Sequence, residues 1–98
     1  MAAYAIGSLT IRDSSWVAEY LPKTLALVEK HGGRYLARGR PTAVLEGDAA
    51  PPSAVVVLEF PSIEAAKAWY DDPDYAPLIR LRQSGATLEF ILVEGLAR

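Results

Sequence analysis

The sequence predicts an α+β fold in which helices cover one face of an antiparallel sheet. Segments rich in β-branched and aromatic residues alternate along the chain with segments whose apolar residues recur at helical spacing. Apolar residue types make up 51% of the 98 residues, which excludes a disordered chain. Because this length suits one small domain, we expect residues 1–98 to form a single domain.

The composition excludes several classes of function. The chain has no cysteine, which excludes a disulfide framework, a thiolate nucleophile and a cysteine-ligated metal. His31 is the single histidine, so one chain cannot build a multi-histidine metal site, and we predict no metal and no cofactor. The net charge of −2 argues against a nucleic-acid partner. No stretch approaches the roughly 20 apolar residues of a membrane span and no signal peptide is evident, so we expect no membrane partner and a cytoplasmic location.

A strand and then a helix are predicted at the start of the chain. Ala3–Arg12 is rich in Tyr, Ile, Leu and Thr and contains no proline, which is typical of a strand. Ser14 or Ser15 then suits the N-cap of a helix that ends at Gly32-Gly33, where glycine permits a left-handed exit. Pro22 lies inside this helix, where it either kinks the helix or starts a second piece. Apolar residues at helical spacing indicate the buried helix face: Val17, Leu21, Leu25 and Val28.

Three strand segments are predicted in the middle of the chain. Arg34–Arg38 and Thr42–Glu46 should form a hairpin around a Gly-Arg-Pro turn. After a loop that contains two consecutive prolines comes Ala54–Phe60, the strongest strand signal in the sequence. Its nearly continuous apolar run predicts a central strand that is covered on both faces.

Two helices and a last strand are predicted in the C-terminal part. Ser62 suits the N-cap of the first helix, and Asp72, which precedes a proline, suits the N-cap of the second. Ala86–Val93 completes the pattern as a strand. Residues at helical spacing give the inward faces: Ala65, Ala66, Trp69 and Tyr70 on the first helix, and Tyr75, Leu78, Ile79 and Arg82 on the second.

The order β-α-β-β-α-(α)-β matches the ferredoxin-like split βαβ motif, whose antiparallel sheet has helices on one face. The second face of this sheet is too apolar to lie in water. Ala54–Phe60 does not alternate between polar and apolar residues, and Ala86–Val93 places Ile91 and Val93 on the face away from Phe90. We therefore expect a second copy of the chain to cover this face, which predicts a homodimer through the sheet face.

Four motifs carry a family resemblance: GGRYLARG (Gly32–Gly39), VLEGD (Val44–Asp48), VVLEFPS (Val56–Ser62) and AWYDDPDYAPLIRLR (Ala68–Arg82). In this order they resemble the domain-of-unknown-function 1330 (DUF1330) family over nearly the whole chain. The resemblance implies a ferredoxin-like protomer that assembles as a dimeric α/β barrel, and it implies no established activity. The wider relatives include cofactor-free monooxygenases, small isomerases and proteins that only bind small molecules, so the fold does not decide the function.

Glu59 is the first candidate for a catalytic residue. It lies on the strongest predicted strand, on the same face as Val55 and Val57, where a carboxylate needs a partner or a proton. In a pocket it could serve as a general base or a ligand anchor whose pKa is raised by burial. Alternatively, Glu59 forms a structural ion pair with Arg34 or Arg38, or reaches solvent at the end of the strand.

Arg82 is the second candidate catalytic residue, and Arg38 is a candidate ligand-binding residue. Arg82 shares an inward helix face with Tyr75, where its guanidinium could bind a substrate carboxylate or enolate. Alternatively, the stem of Arg82 packs while its head meets an acidic residue at the surface. Arg38 and Arg34 are expected on the strand face opposite Tyr35, where one of them could line the same cavity or face solvent.

The remaining candidates lie near the helix ends. Trp69, Tyr70 and Tyr75 cluster around the break between the two C-terminal helices, either as ligand-binding walls of a pocket or as core aromatics. His31 either complements the helix dipole in the last turn or acts as a catalytic base. Tyr20, on the first helix, is interpreted as a packing or interface residue.

The sequence favours a protein that binds a small organic molecule in a pocket between sheet and helices. The first alternative is a cofactor-independent, monooxygenase- or isomerase-like enzyme with Glu59 as base and Arg82 and Tyr75 as anion stabilisers. This alternative predicts that Glu59 and Arg82 converge in one cavity of roughly a few hundred Å³. The second alternative is a non-catalytic dimeric interaction module without a cavity.

Overall fold

A computed structural model describes residues 1–96 and contains seven secondary-structure elements. They are β1 (Ala3–Ile11), α1 (Val17–Lys30), β2 (Arg34–Gly39), β3 (Ala54–Phe60), α2 (Ile63–Tyr70), α3 (Ala76–Gln83) and β4 (Ala86–Glu94). These elements match the predicted ones apart from the hairpin and the start of α3, where the predicted N-cap Asp72 is wrong because Tyr75 takes that position. Residues 97 and 98 of the predicted domain lie outside the described residues.

The four strands form one antiparallel sheet in the order β2-β3-β1-β4. The helices pack against the face that carries Ala3 and Ala5 of β1 and Val56, Leu58 and Phe60 of β3, all of which are buried. This arrangement confirms the predicted α+β, ferredoxin-like protomer. β3 lies between β2 and β1, which confirms its predicted central position.

The predicted hairpin between Arg34–Arg38 and Thr42–Glu46 is wrong. Thr42–Glu46 lies in an irregular connection that runs from residue 40 to residue 53, and its Leu45 is 96% exposed. β2 pairs instead with β3. Because β3 is longer and more apolar, it buries more apolar surface beside β2 than the shorter segment would.

A bulge in β2 changes the face on which Arg38 lies. The pairing with β3 shifts register between Tyr35 and Ala37, so Leu36 is an extra residue in the strand. As a result Tyr35 pairs with Leu58 and Arg38 pairs with Val56, and both point toward the helices. The expectation that Arg38 lies opposite Tyr35 is therefore wrong, because strict alternation ends at a bulge.

The buried face of α1 also differs from the predicted one. Trp16 occupies the N-cap position in place of Ser14 or Ser15, and it makes no side-chain capping bond. The buried stripe repeats every fourth residue from Trp16: Tyr20, Thr24 and Val28. Leu25, predicted inside, is 39% exposed. The aromatic rings at the start of the helix bury more surface than the aliphatic residues of the predicted stripe, and they set its rotation.

We call the sheet face away from the helices the open face. It carries Tyr4 and Ile6 of β1, Val55, Val57 and Glu59 of β3, and Ile91 and Val93 of β4. Ile6 lies between Val57 and Ile91, so these three side chains form an apolar row across the sheet. Ile91 is 60% exposed.

Among residues 1–96, no helix combines the length and apolar character that crossing a membrane requires. The cytoplasmic location stays a prediction.

Candidate functional site

A small cavity lies between the sheet and the helices. Its volume is about 50 Å³. Inward side chains of all three helices and of the inner face of the sheet meet there and form its lining. Its aromatic and polar lining residues are Trp16, Tyr20, Thr24, Tyr35, Arg38, Trp69, Tyr75, Arg82 and Phe90. We call this space the interior cavity.

Arg82 forms a buried cluster with two tyrosines at the interior cavity. Its Nη1 donates to the hydroxyl of Tyr20 at 3.0 Å and to that of Tyr75 at 2.9 Å. The two hydroxyl oxygens are 2.6 Å apart, and the guanidinium carbon lies 5.7 Å from the centre of the Tyr20 ring. Arg82 is only 3% exposed, yet no acidic side chain among residues 1–96 forms a salt bridge with it.

The protonation states of this cluster follow from burial. Burial raises the pKa of Tyr75 far above its usual range, and the neighbouring Tyr20 adds to this effect. Burial likewise raises the pKa of Tyr35 to about 12. Burial opposes the charge of Arg82, but Tyr20 and Tyr75 outweigh it, so the pKa of Arg82 is raised. At neutral pH the cavity therefore presents protonated Tyr35 and Tyr75 hydroxyls and a permanent cation.

Several buried polar atoms of the lining have no hydrogen-bond partner. These atoms are Trp16 Nε1, Thr24 Oγ1, Trp69 Nε1 and Arg82 Nε. All four residues line the interior cavity. Trp16 Nε1 packs against Gly85, since a Cβ built on that glycine would lie 2.8 Å from it. The other three atoms can each donate a hydrogen bond, and an oxygen acceptor that reaches them from the cavity would satisfy groups that the chain leaves unpaired.

Glu59 lies on the open face and not in the interior cavity. Its Oε1 accepts a hydrogen bond from Arg34 Nε at 2.7 Å, and its Oε2 accepts one from the Tyr4 hydroxyl at 3.2 Å. The bond from Arg34, supported by Tyr4, lowers the pKa of Glu59 even though burial opposes this. The predicted ion pair with Arg34 is confirmed.

The predicted shared cavity of Glu59 and Arg82 is wrong. Glu59 pairs with Tyr4 across β3 and β1, which directs its side chain away from the helices. Arg82 points from α3 toward the other face of the sheet, where it lines the interior cavity. A raised pKa for Glu59 is wrong for the same reason, since its partners are hydrogen-bond donors. A catalytic role for either residue stays a prediction.

The three aromatic candidates divide between two pockets. Trp69 and Tyr75 are buried and line the interior cavity, with ring centroids 4.7 Å apart. Tyr70 is 43% exposed and lines a separate groove of about 300 Å³ between α2 and β4, which we call the outer groove. Trp69 and Phe90 line both spaces, so these two rings form the wall between them.

His31 joins a polar cluster that the sequence did not predict. Its Nε2 lies 2.8 Å from Asp72 Oδ2, which also accepts a hydrogen bond from Lys30 Nζ at 3.0 Å. Asp72 Oδ1 accepts from the Asp74 backbone N–H at 2.9 Å, so Asp72 caps the turn before α3 and not α3 itself. These bonds connect the end of α1 to the turn before α3. They lower the pKa of Asp72 far below its usual range, and the bond with His31 is the largest cause.

No group of three or more His, Asp or Glu side chains within residues 1–96 is placed to hold a metal ion. The polar groups that converge are the donors around the interior cavity.

Comparisons with solved structures place the fold among ferredoxin-like proteins. A Rhodopseudomonas palustris protein of unknown function shares 19% identity with a TM-score of 0.81, covering 99% of this chain and 84% of that one. SnoaB, a cofactor-independent oxygenase from Streptomyces nogalater, shares 13% identity with a TM-score of 0.69, covering 99% and 95%. A dimeric ferredoxin-like protein of unknown function from Bacteroides fragilis shares 16% identity with a TM-score of 0.59, covering 96% of each chain. At these identities the likeness shows the fold alone.

No curated protein matches the sequence. A model of the domain of unknown function DUF1330 matches residues 2–96, nearly the whole chain. The protein therefore belongs to the DUF1330 family.

Proposed function

We propose that this protein binds a small organic molecule in the interior cavity between sheet and helices. The observation that carries the proposal is the set of unpaired buried donors of Thr24, Trp69 and Arg82 around one cavity. Most buried polar groups in folded proteins have partners, and unpaired ones are rare. Three unpaired donors on residues that line one cavity support the proposal that a bound molecule completes the hydrogen bonding of this site.

The proposed function is tested by a thermal-shift screen of small aromatic compounds and small organic acids against the full chain. A ligand that binds only the folded protein raises its unfolding temperature by mass action. Hits should lose their effect in Trp69→Phe, which removes one unpaired donor and keeps an aromatic ring. They should keep it in the matched variant Tyr70→Phe, because Tyr70 lines the outer groove. Hits that respond equally to both variants would place binding elsewhere.

The active form in this proposal is a homodimer through the open face. The apolar row of Ile6, Val57 and Ile91 supports it, because a monomer would expose this row to water. Structural neighbours described as dimeric and ferredoxin-like support it further. A second copy would also surround Glu59 and Arg34, whose ion pair lies at the end of this face.

An enzyme is the second candidate function, and the Arg82 cluster is the observation that favours it. A buried cation beside two tyrosine hydroxyls suits an enolate that forms during a reaction, and one structural neighbour is described as a cofactor-independent oxygenase. The candidate lacks a base at this site, since no histidine or carboxylate among residues 1–96 lines the interior cavity. Tyr75 cannot take this role at neutral pH, because its raised pKa keeps it protonated.

Deuterium exchange separates binding from catalysis. Phenylpyruvate in D₂O exchanges its enolisable protons slowly without a catalyst, and NMR follows the loss of signal. A binding protein leaves this rate unchanged. A protein-dependent increase that is lost in Arg82→Met and kept in Arg80→Met would favour the enzyme.

A further inference from the structure

The charges of the interior cavity point to the chemical class of its ligand. Two of its lining residues, Arg38 and Arg82, are cationic, and none of the described ones is acidic. The chain as a whole has 12 acidic and 10 basic residues, so a positive lining is not a consequence of composition. Neither arginine forms a salt bridge with an acidic side chain within residues 1–96.

Arg82 is the less accessible of the two cations. Burying a cation without an anionic partner is costly, and within the described residues the groups that offset this cost are two tyrosine hydroxyls and not a carboxylate. Both of its hydrogen bonds use Nη1. Within the described residues Nε has no partner, and Nε and Nη2 form the edge of a guanidinium that holds a carboxylate through two parallel bonds.

Arg38 lies where the interior cavity meets solvent. It is exposed and lines the cavity, and its guanidinium carbon lies 5.3 Å from the centre of the Tyr35 ring. A cation at the opening of a cleft attracts anions and raises their local concentration. The volume of about 50 Å³ accepts a group of a few heavy atoms, whereas a complete drug-sized ligand fills at least about 300 Å³. The enclosed part therefore suits a head group.

We propose that the ligand of the interior cavity is a small organic acid bound as its anion, with the carboxylate or enolate oxygens on the free edge of Arg82. The unpaired Thr24 hydroxyl and Trp69 indole N–H are additional donors for these oxygens. The apolar body of the acid lies along the Trp69 and Phe90 rings. This inference rests on the proposed function and adds the charge of the ligand and the residue that recognises it.

Pairs of acids and their uncharged amides test the inference on the full chain. The probes are benzoate with benzamide, phenylacetate with phenylacetamide, and butyrate with butyramide, measured by calorimetry and by ligand-observed NMR at neutral pH. We expect each acid to bind at least about tenfold more tightly than its amide, as a hydrogen-bonded buried charge pair would give. Amides that bind as tightly as acids would overturn the inference and leave the proposed function standing. Failure of both members of every pair to bind would overturn the proposed function itself.

Substitutions identify the residue that recognises the charge. Arg82→Met keeps an apolar stem of similar shape, and it should remove the preference for the acid while the amide binds as before. Arg80→Met removes the same charge from the exposed side of α3 and should keep the preference. Arg82→Lys keeps the positive charge but cannot form a bidentate pair with a carboxylate, so it should bind the acid with intermediate affinity. An acid preference that survives Arg82→Met in a folded variant, checked by circular dichroism, would overturn the role of Arg82.

Discussion

At the scale of single residues, Arg82 is unusual because hydroxyl groups are the only hydrogen-bond partners of its side chain among residues 1–96. Charged residues are rarely buried without an opposite charge. Here Tyr20 and Tyr75 approach it from α1 and from the start of α3, and their oxygens are 2.6 Å apart. The cluster therefore holds two helices together and at the same time leaves Arg82 Nε free.

Tyr75→Phe should destabilise the protein. It removes one acceptor of Arg82 Nη1 and one partner of the Tyr20 hydroxyl, all of them buried. We expect the free energy of unfolding, measured with urea, to fall by about 1–3 kcal/mol. Tyr70→Phe is the matched control, because Tyr70 is half exposed, and its effect should stay within about 0.5 kcal/mol. Equal effects of the two variants would contradict the buried cluster.

Thr24→Val should separate stability from binding. Valine has the shape of threonine but no hydroxyl, and the Thr24 hydroxyl has no partner in the ligand-free chain. We expect the free energy of unfolding, measured with urea, to stay unchanged or to rise by up to about 1 kcal/mol. The ligand should bind roughly threefold to tenfold more weakly. Thr10→Val, at an exposed position of β1, should change neither the free energy of unfolding nor the affinity for the ligand. If Thr24→Val lowered the free energy of unfolding by more than about 2 kcal/mol, the Thr24 hydroxyl would already have a hydrogen-bond partner within the protein, which would contradict the account.

Part of the candidate site could be predicted from single residues, and part could not. Helical spacing placed Tyr75 and Arg82 on one inward face, and the structure brings both to the interior cavity. The sequence does not indicate Tyr20 and Thr24 as site residues, because the aliphatic stripe favours another rotation of α1. The sequence pattern places Glu59 on the correct strand, but which sheet face the helices cover depends on tertiary packing, which a local pattern does not contain.

At the scale of elements, the bulge in β2 decides which residues reach the interior cavity. Alternation predicts that Tyr35 and Arg38 lie on opposite faces, whereas the extra residue puts both on the helix side. No residue in Arg34–Gly39 signals a bulge, since bulges arise from pairing with a neighbouring strand. The missing hairpin has the same origin, because the choice between two possible partners of β2 depends on burial across the whole sheet.

The Asp72 cluster ties α1 to the turn before α3, and it makes stability depend on pH. The pKa of Asp72 is lowered in the folded chain, so its ionised form stabilises the fold above the ordinary value of 3.8, and this contribution is lost as the pH falls below it. Asp72→Asn should therefore lower the unfolding temperature at neutral pH. The difference in unfolding temperature between Asp72→Asn and the natural protein should shrink as the pH falls below about 4.

Asp71→Asn is the control for this prediction. Asp71 is an exposed neighbour, whereas the bonds from Lys30, His31 and the Asp74 N–H all go to Asp72. Thermal unfolding followed by circular dichroism across acidic and neutral pH measures both variants. A difference between Asp72→Asn and the natural protein that stays constant down to acidic pH would contradict the cluster.

At the scale of the whole molecule, the open face should hold two copies together. Sedimentation should give twice the chain mass of 10.6 kDa. Ile91→Asp puts a charge at the β4 end of the apolar row and should give monomers, because a charge buried at the interface has no partner. Leu25→Asp, on the exposed side of α1, should leave the dimer intact. A natural chain that sediments as a monomer would contradict this proposal.

The overall fold was more predictable than the assembly or the ligand. Strong strand and helix patterns and four family motifs lead to the ferredoxin-like order, and the structure confirms it. The apolar residues on both faces of β3 predict that something covers the open face, but not what covers it. The identity of a ligand depends on the few donors left unpaired after folding, and these become visible only when the side chains are packed.

The most direct test of binding in the interior cavity is a ¹⁵N-resolved NMR titration of the full chain with benzoate. The chain has two tryptophans, so the indole N–H signals of Trp16 and Trp69 can be assigned with a single variant. We predict that the Trp69 Nε1–H and Arg82 Nε–H signals shift together and saturate, while that of Trp16, packed against Gly85, moves less. Saturable binding that leaves Trp69 and Arg82 unmoved and shifts residues of the outer groove or the open face would contradict the account.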